Sequence, residues 1–328
     1  MREPEVAQPA LLVLLALLLV VPLLGRAGWP SVAGAAFLLE FLSEGRVPAL
    51  SALTRPPSVR PLAVPGVAAD LYTGAECARP PRGPTWAGRP CSLVLVHGLA
   101  PGGKNDPRLR RAARLLARAG FAVAVPTVAG LTRFRLDPDD VEPVVRTLQA
   151  MPPPATLVGI SVGAGPALLA AADPRVSDRV AVVLSLGGYA SASALARFYL
   201  TARPDLARRF AEANPALMAD PTARRAVATG DLAGLSPELR RRLEAVSPER
   251  VVQGIRARLL IVHGRDDPLV PFTESLRLAD AARALHPRLA LVGAIAHVEG
   301  TPGRARPADL LGLWLIAREL ITGPAGAL

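Results

Sequence analysis

From Ser92 onward, short apolar runs alternate with longer stretches in which apolar residues recur every three or four positions. The runs are SLVLV (92–96), FAVAVP (121–126), TLVGI (156–160), VAVVLSL (180–186), RLLIV (258–262) and LALVGAI (289–295). Continuous apolar segments of this length predict strands buried on both faces. The amphipathic stretches between them predict crossover helices. The expected fold is therefore α/β, a doubly wound and mainly parallel sheet with helices on both sides. A further strand is expected near 66–72, and no internal repeat is visible.

Three regions depart from this rhythm. Residues 190–256 have helical periodicity, frequent prolines and no strand pattern, so they predict a helical insertion capping a site. Residues 47–90 are rich in Pro, Gly and Arg. Residues 10–24, ALLVLLALLLVVPLL, are uninterrupted apolar sequence that spans roughly 22 Å as a helix, short of a ~30 Å hydrocarbon core. Extended to 6–29, the segment is long enough, with Arg26 snorkelling and Trp29 at the interface. A signal peptide is the competing reading, but Glu3 and Glu5 beside Arg2 make a poor positive n-region. The expected organisation is a membrane anchor over 1–30, a linker over 31–65 and a catalytic domain over 66–328 that contains the insertion.

The chain has 328 residues and a net charge of +11, carried by arginine, since Lys104 is the sole lysine. In PRLRRAARLLARAG (107–120), Arg108, Arg111, Arg114 and Arg118 fall on one helical face opposite Leu109, Ala112, Leu116 and Ala119. That pattern predicts a solvated helix face rather than a nucleic-acid-binding stripe. Two cysteines, Cys77 and Cys91, are too few for a zinc site or a disulfide scaffold, and one disulfide is compatible with them. No metal or cofactor is expected. The acidic group Asp137, Asp139, Asp140 and Glu142 predicts a helix N-cap.

The chemistry centres on LVGISVGAGPALLA (157–170). Ser161 lies between a strand and a helix, with glycines two positions before and after it. A turn this tight leaves no room for Cβ atoms at 159 and 163, and it projects the serine hydroxyl out of the sheet. The amide of Val162 then faces a developing oxyanion at the helix N-terminus. A serine nucleophile needs a base, and the base needs an orienting acid. Of the four histidines, His286 precedes a proline and is expected at the surface; His97, His263 and His297 each follow a strand. Asp266 and Asp267 follow the penultimate strand in VHGRDDPLVP.

HG after one strand, GxSxG after a later one, HGxxDxxVP after the next-to-last and a histidine after the last together resemble the α/β-hydrolase superfamily, its serine esterase and dienelactone-hydrolase-like branches. The resemblance covers 92 to the C-terminus. It implies Ser161 as nucleophile, Asp267 as acid, with Asp266 the alternative, and His297 as base. It implies an oxyanion hole from the amides of Leu99 (or Ala100) and Val162, with His97 a structural neighbour. Dienelactone hydrolases proper use cysteine in the elbow, where this chain has serine.

The reading is a membrane-tethered serine hydrolase cleaving an ester or related acyl bond of a small-molecule substrate. Its rival is a non-catalytic binding module of the same fold. Tyr189, after Gly187-Gly188, is the expected substrate contact. Phe198, Tyr199, Phe210 and Met218 in the insertion are candidates to line an acyl pocket, with helix packing the expected role for most of them. The positive-inside rule alone would leave the domain in the cytoplasm. An N-terminal apolar segment leading a large domain, and cysteines flanking a Pro/Gly-rich loop, favour the extracytoplasmic side.

Overall fold

The computed structural model describes residues 28–74, 91–297, 299–300 and 306–322. Helix α1 (Gly28–Leu42) and the short α2 (Ala49–Leu53) lead into an antiparallel hairpin, β1 (Ser58–Val64) and β2 (Val67–Thr73). The alternating core then begins: β3 (Ser92–Val96), α3 (Pro107–Arg118), β4 (Ala122–Pro126), α4 (Ala129–Thr132), α5 (Val141–Ala150), β5 (Ala155–Ile160), α6 (Ala164–Ala172) and β6 (Val180–Leu186). Five helices follow: α7 (Ala192–Ala202), α8 (Pro204–Ala213), α9 (Pro215–Met218), α10 (Pro221–Thr229) and α11 (Pro237–Ala245). The chain returns to the sheet through β7 (Arg258–Gly264), α12 (Thr273–Ala281), β8 (Arg288–Val292) and α13 (Pro307–Thr322).

The sheet order is β1-β2-β4-β3-β5-β6-β7-β8. Pairing is antiparallel at β1/β2 and β2/β4, and parallel from β4 to β8. Strands β3, β5 and β7 are almost wholly buried, as their unbroken apolar sequences require. Chain order reverses at β3, where β4 lies on one side and β5 on the other. The loops after β3 and β5 therefore open a crevice between them at the carboxyl edge, where open α/β sheets bind ligands.

Residues 31–65, expected as a linker, hold most of α1, all of α2 and β1. Their prolines suggested a chain without structure. Pro61 is tolerated because β1 is an edge strand that pairs only with β2. Helix α1 packs on α13, where Trp314 Nε1 donates to Ser31 O at 3.3 Å and the Cα of Gly34 leaves room for the Arg318 backbone. Most of the expected anchor, 6–29, lies outside the described residues. Among the described residues no helix is long and apolar enough to cross a membrane.

The arginine face of α3 is part surface and part clamp. Arg111 donates to Glu44 O at 2.9 Å, and Arg118 to Thr54 O at 2.6 Å, so the face also holds the α1–α2 segment. The acidic group at 137–140 forms a capping box: Asp137 accepts from the Asp139 amide, and Asp140 from the Asp137 amide. Cys91 is disulfide-bonded, and the chain's other cysteine, Cys77, lies outside the described residues.

Candidate active site

Ser161 sits at the end of β5 with φ of +54°, in the left-handed region that a non-glycine residue rarely occupies. Its neighbours explain how the strain is held. A Cβ on Gly159 would lie 2.5 Å from the Ala164 Cα and 2.8 Å from the Ala167 Cβ. A Cβ on Gly163 would lie 2.7 Å from the His97 carbonyl carbon. The turn is closed on one side by the helix it opens and on the other by the end of β3.

His97 fixes the facing loop. The Val128 amide donates to His97 Nε2 at 3.0 Å, so Nδ1 carries the ring proton and donates to Gly98 O at 2.7 Å. Both ring nitrogens are thus occupied, and burial pulls the pKa of this imidazole down. The Gly98 carbonyl is turned to His97. In a trans peptide the N–H of Leu99 therefore points the opposite way. Among the described residues that N–H has no protein acceptor. The Gly98 Cα lies against the serine: a Cβ there would be 3.0 Å from Ser161 Cβ and 3.4 Å from its Oγ.

Of the two aspartates, Asp267 is the one that meets His297. Asp267 Oδ2 lies 2.8 Å from His297 Nδ1 and 3.3 Å from His263 Nε2. Its Oδ1 accepts from the amides of Leu269 at 2.8 Å and Val270 at 3.0 Å. Burial alone would push this carboxyl up. The hydrogen bonds from His263 and His297, the His297 charge and the Val270 amide outweigh it, and hold the group well below the usual carboxylate range. Asp266 is exposed. His297 also has positive φ, +56°, on the turn after β9 (Ile295–Ala296).

Ser161 and His297 line one open cleft of about 810 Å³, together with Gly98, Leu99, Ile160 and Tyr199. Among the described residues no hydrogen bond yet joins Ser161 to His297; ligand-free sites are often looser than reacting ones. Val162 follows the serine in the turn, 1 % exposed.

Tyr189 is a correction. Its ring is fully buried, and its hydroxyl donates to Val246 O at 2.7 Å, so it ties β6 to the end of α11 and does not line the cleft. The Gly187-Gly188 pair that suggested a binding turn instead makes room: a Cβ on Gly188 would collide with Ala164 and Ser185 side chains. The cleft's tyrosine is Tyr199, from α7. Two residues escaped sequence reasoning. His263 Nε2–H is shared between Val270 O at 2.9 Å and Asp267, while its Nδ1 meets Ser275 Oγ at 2.6 Å. Its spacing of four from Asp267 was the available signal. Buried Glu274 accepts from the amides of Ala190 at 3.0 Å and Ser191 at 2.8 Å, holding the entrance to the insertion. Nothing in its sequence context marks it.

A sequence profile of the Alpha/beta hydrolase family matches residues 93–297. No curated protein matches the chain. Among solved structures, a puromycin-hydrolyzing peptidase of Mycobacterium tuberculosis is 22 % identical with a TM-score of 0.54, over 82 % of this chain and 39 % of that one. An acylaminoacyl peptidase of Pyrococcus horikoshii is 16 % identical with a TM-score of 0.55, over 81 % of this chain and 41 % of that one. The chain thus spans about two fifths of these peptidases' length. A dienelactone hydrolase from Anabaena variabilis is 18 % identical with a TM-score of 0.46, over 81 % of this chain and 97 % of that one.

Proposed function

The chain belongs to the α/β-hydrolase family, and from that premise we propose that it is a serine hydrolase acting on an ester or related acyl bond, with Ser161, His297 and Asp267 as its triad. One observation carries the reading: Ser161, on a positive-φ turn at the head of α6, opens into the same cleft as a histidine whose Nδ1 is held by a buried carboxylate. Because Nδ1–H donates its hydrogen bond to Asp267, Nε2 is the basic nitrogen. His297 Nε2 removes the Ser161 proton as Oγ attacks the carbonyl carbon. The amides of Leu99 and Val162 bind the oxyanion. The tetrahedral adduct collapses, the imidazolium returns its proton to the leaving group, and the acyl group stays on Oγ. Water then gives a proton to His297, attacks the acyl-enzyme, and frees the acid and the serine.

The test is covalent labelling. A fluorophosphonate should modify the wild type at Ser161 and leave Ser161→Ala unmodified. Folded wild type that resists several such probes would favour the non-catalytic binding module. A second expectation concerns pH. Asp267 is held far below the range in which activity is measured, so it does not titrate there. The acid limb of log kcat/KM should therefore carry no contribution from Asp267 and have a slope of one; a slope of two would show that Asp267 titrates there.

The N-terminal apolar run 10–24 supports a membrane tether preceding α1. The disulfide at Cys91 supports an oxidising compartment, hence an extracytoplasmic domain. Membrane fractionation with protease protection, and thiol alkylation before and after reduction, test both. Full-length protein in the soluble fraction removes the tether, and a cysteine alkylated without reduction removes the compartment.

A further inference from the structure

Helices α7–α11 surround a second, apolar cavity of about 240 Å³, whose walls include Leu195, Phe210, Leu217, Met218, Leu239 and Val246. It is larger than the roughly 150 Å³ apolar cavity that accepts benzene. It borders the Ser161 cleft. Tyr199 lines both spaces. The rest of the wall is made of chain neighbours facing opposite ways: Phe134, Leu206 and Arg209 face the cleft, and Arg135, Ala207 and Phe210 face the chamber.

Most of that wall is pinned. The Arg209 guanidinium lies 3.8 Å over the Phe134 ring, Arg135 Nε donates to Ala213 O at 2.8 Å, and Asn214 Nδ2 donates to Phe134 O at 3.1 Å. These contacts fasten α8 to the 134–135 segment. Tyr199 has no such tether. Among the described residues its hydroxyl has no hydrogen-bond partner, and its ring is held by apolar packing alone, against the core cluster and a tilted Phe198 ring at 5.9 Å. Burial, and then the Asp267 charge, raise its pKa, so it remains a neutral phenol that can leave its place without separating an ion pair.

We propose that Tyr199 is a gate and that the chamber behind it is the specificity pocket for an alkyl chain of the substrate, the reacting carbonyl being held at Ser161. The proposal rests on the serine-hydrolase reading for the chemistry but not for the binding. Rotation of the Tyr199 side chain joins the two spaces. The alkyl chain then replaces water-exposed apolar surface with contacts to leucine, methionine and phenylalanine. A short acyl group leaves the chamber unused.

The test uses the full-length protein and p-nitrophenyl esters from acetate to decanoate, with a parallel series of acetates of lengthening alcohols. In one of the two series kcat/KM should rise about fourfold per methylene until the chamber is full; the responding series tells whether the acyl or the alcohol chain enters. Leu217→Trp, which fills the chamber, should lower the long-to-short ratio of kcat/KM tenfold or more. Tyr199→Ala, which removes the gate, should raise it. Flat profiles in both series with active enzyme, or wild-type ratios in both variants, overturn the proposal. If no ester is turned over, the serine-hydrolase reading fails separately. The chamber is then tested by calorimetric titration of decanoate into Ser161→Ala: binding that Leu217→Trp abolishes supports the proposal, and no binding overturns it.

Discussion

Asp267→Asn should lower kcat by about 10⁴, while Asp266→Asn should leave it near the wild-type value. The size of the first effect follows from how the carboxylate is held. Two backbone amides, from Leu269 and Val270, donate to Oδ1. In the asparagine variant the side-chain oxygen must stay at that position, because an NH₂ group there would confront two donors. The NH₂ is therefore forced towards His297 Nδ1 and His263 Nε2, where Oδ2 stood. His297 can keep a hydrogen bond only by accepting through Nδ1, which moves its proton to Nε2. That nitrogen then cannot take the proton of Ser161. Asp266 beside it is exposed, where Asp267 is buried against both imidazoles. Equal losses in the two variants would mean that the triad is wrongly assigned.

The same carboxylate gives a stability expectation. Its pKa in the fold lies below its ordinary 3.8, so the ionised group stabilises the fold above that pH. This contribution is lost as pH falls below about 3.8 towards the folded value. The difference in unfolding free energy between wild type and Asp267→Asn should therefore shrink on acidification. Denaturant titrations at neutral and acid pH measure it, and a difference that grows in acid would reverse the sign.

The strands and the Ser161 elbow were legible because each rests on a local signal. Buried parallel strands require unbroken apolar runs, and a serine on a tight elbow requires glycines two positions away on both sides. Pairing Asp267 with His297 followed from family-like spacing, and the two side chains meet across 30 positions of sequence. What stayed hidden depended on distant partners. β1 reads as a Pro-rich linker because an edge strand tolerates what a central strand cannot. Tyr189 reads as a pocket residue because its partner, Val246 O, lies 57 positions away across the whole insertion. Tyr199 reads as helix packing because the two cavities it separates exist only once α7 and α8 have folded against the 134–135 segment. Periodicity places a residue on a helix face, but it does not say whether that face meets another helix or an open space.

Gly163→Ala should cost more than about 3 kcal/mol and remove fluorophosphonate labelling, although it adds a single methyl group. The added Cβ would meet the His97 carbonyl carbon at 2.7 Å, with its oxygen closer still and Val96 O at 3.1 Å. None of these atoms can yield cheaply. Val96 is paired with Gly159 in the β3/β5 ladder, so moving it pulls on the strand that carries the serine. His97 is held through both ring nitrogens, to Val128 N and Gly98 O. Shifting it would turn the Gly98–Leu99 peptide and with it the Leu99 amide proposed to bind the oxyanion. The turn cannot relax in the other direction either, because Gly159 already lies against Ala164 and Ala167. Gly254→Ala is the matched control: it is exposed, its φ is negative, and its Cβ would meet nothing nearer than the Ala172 Cβ at 4.0 Å. It should stay within about 0.5 kcal/mol of wild type and label normally. Denaturant unfolding of the two variants, with labelling on the same samples, decides the matter. A Gly163→Ala protein of wild-type stability and labelling would mean that the approach of β3 to the elbow is not what holds Ser161 in its strained turn.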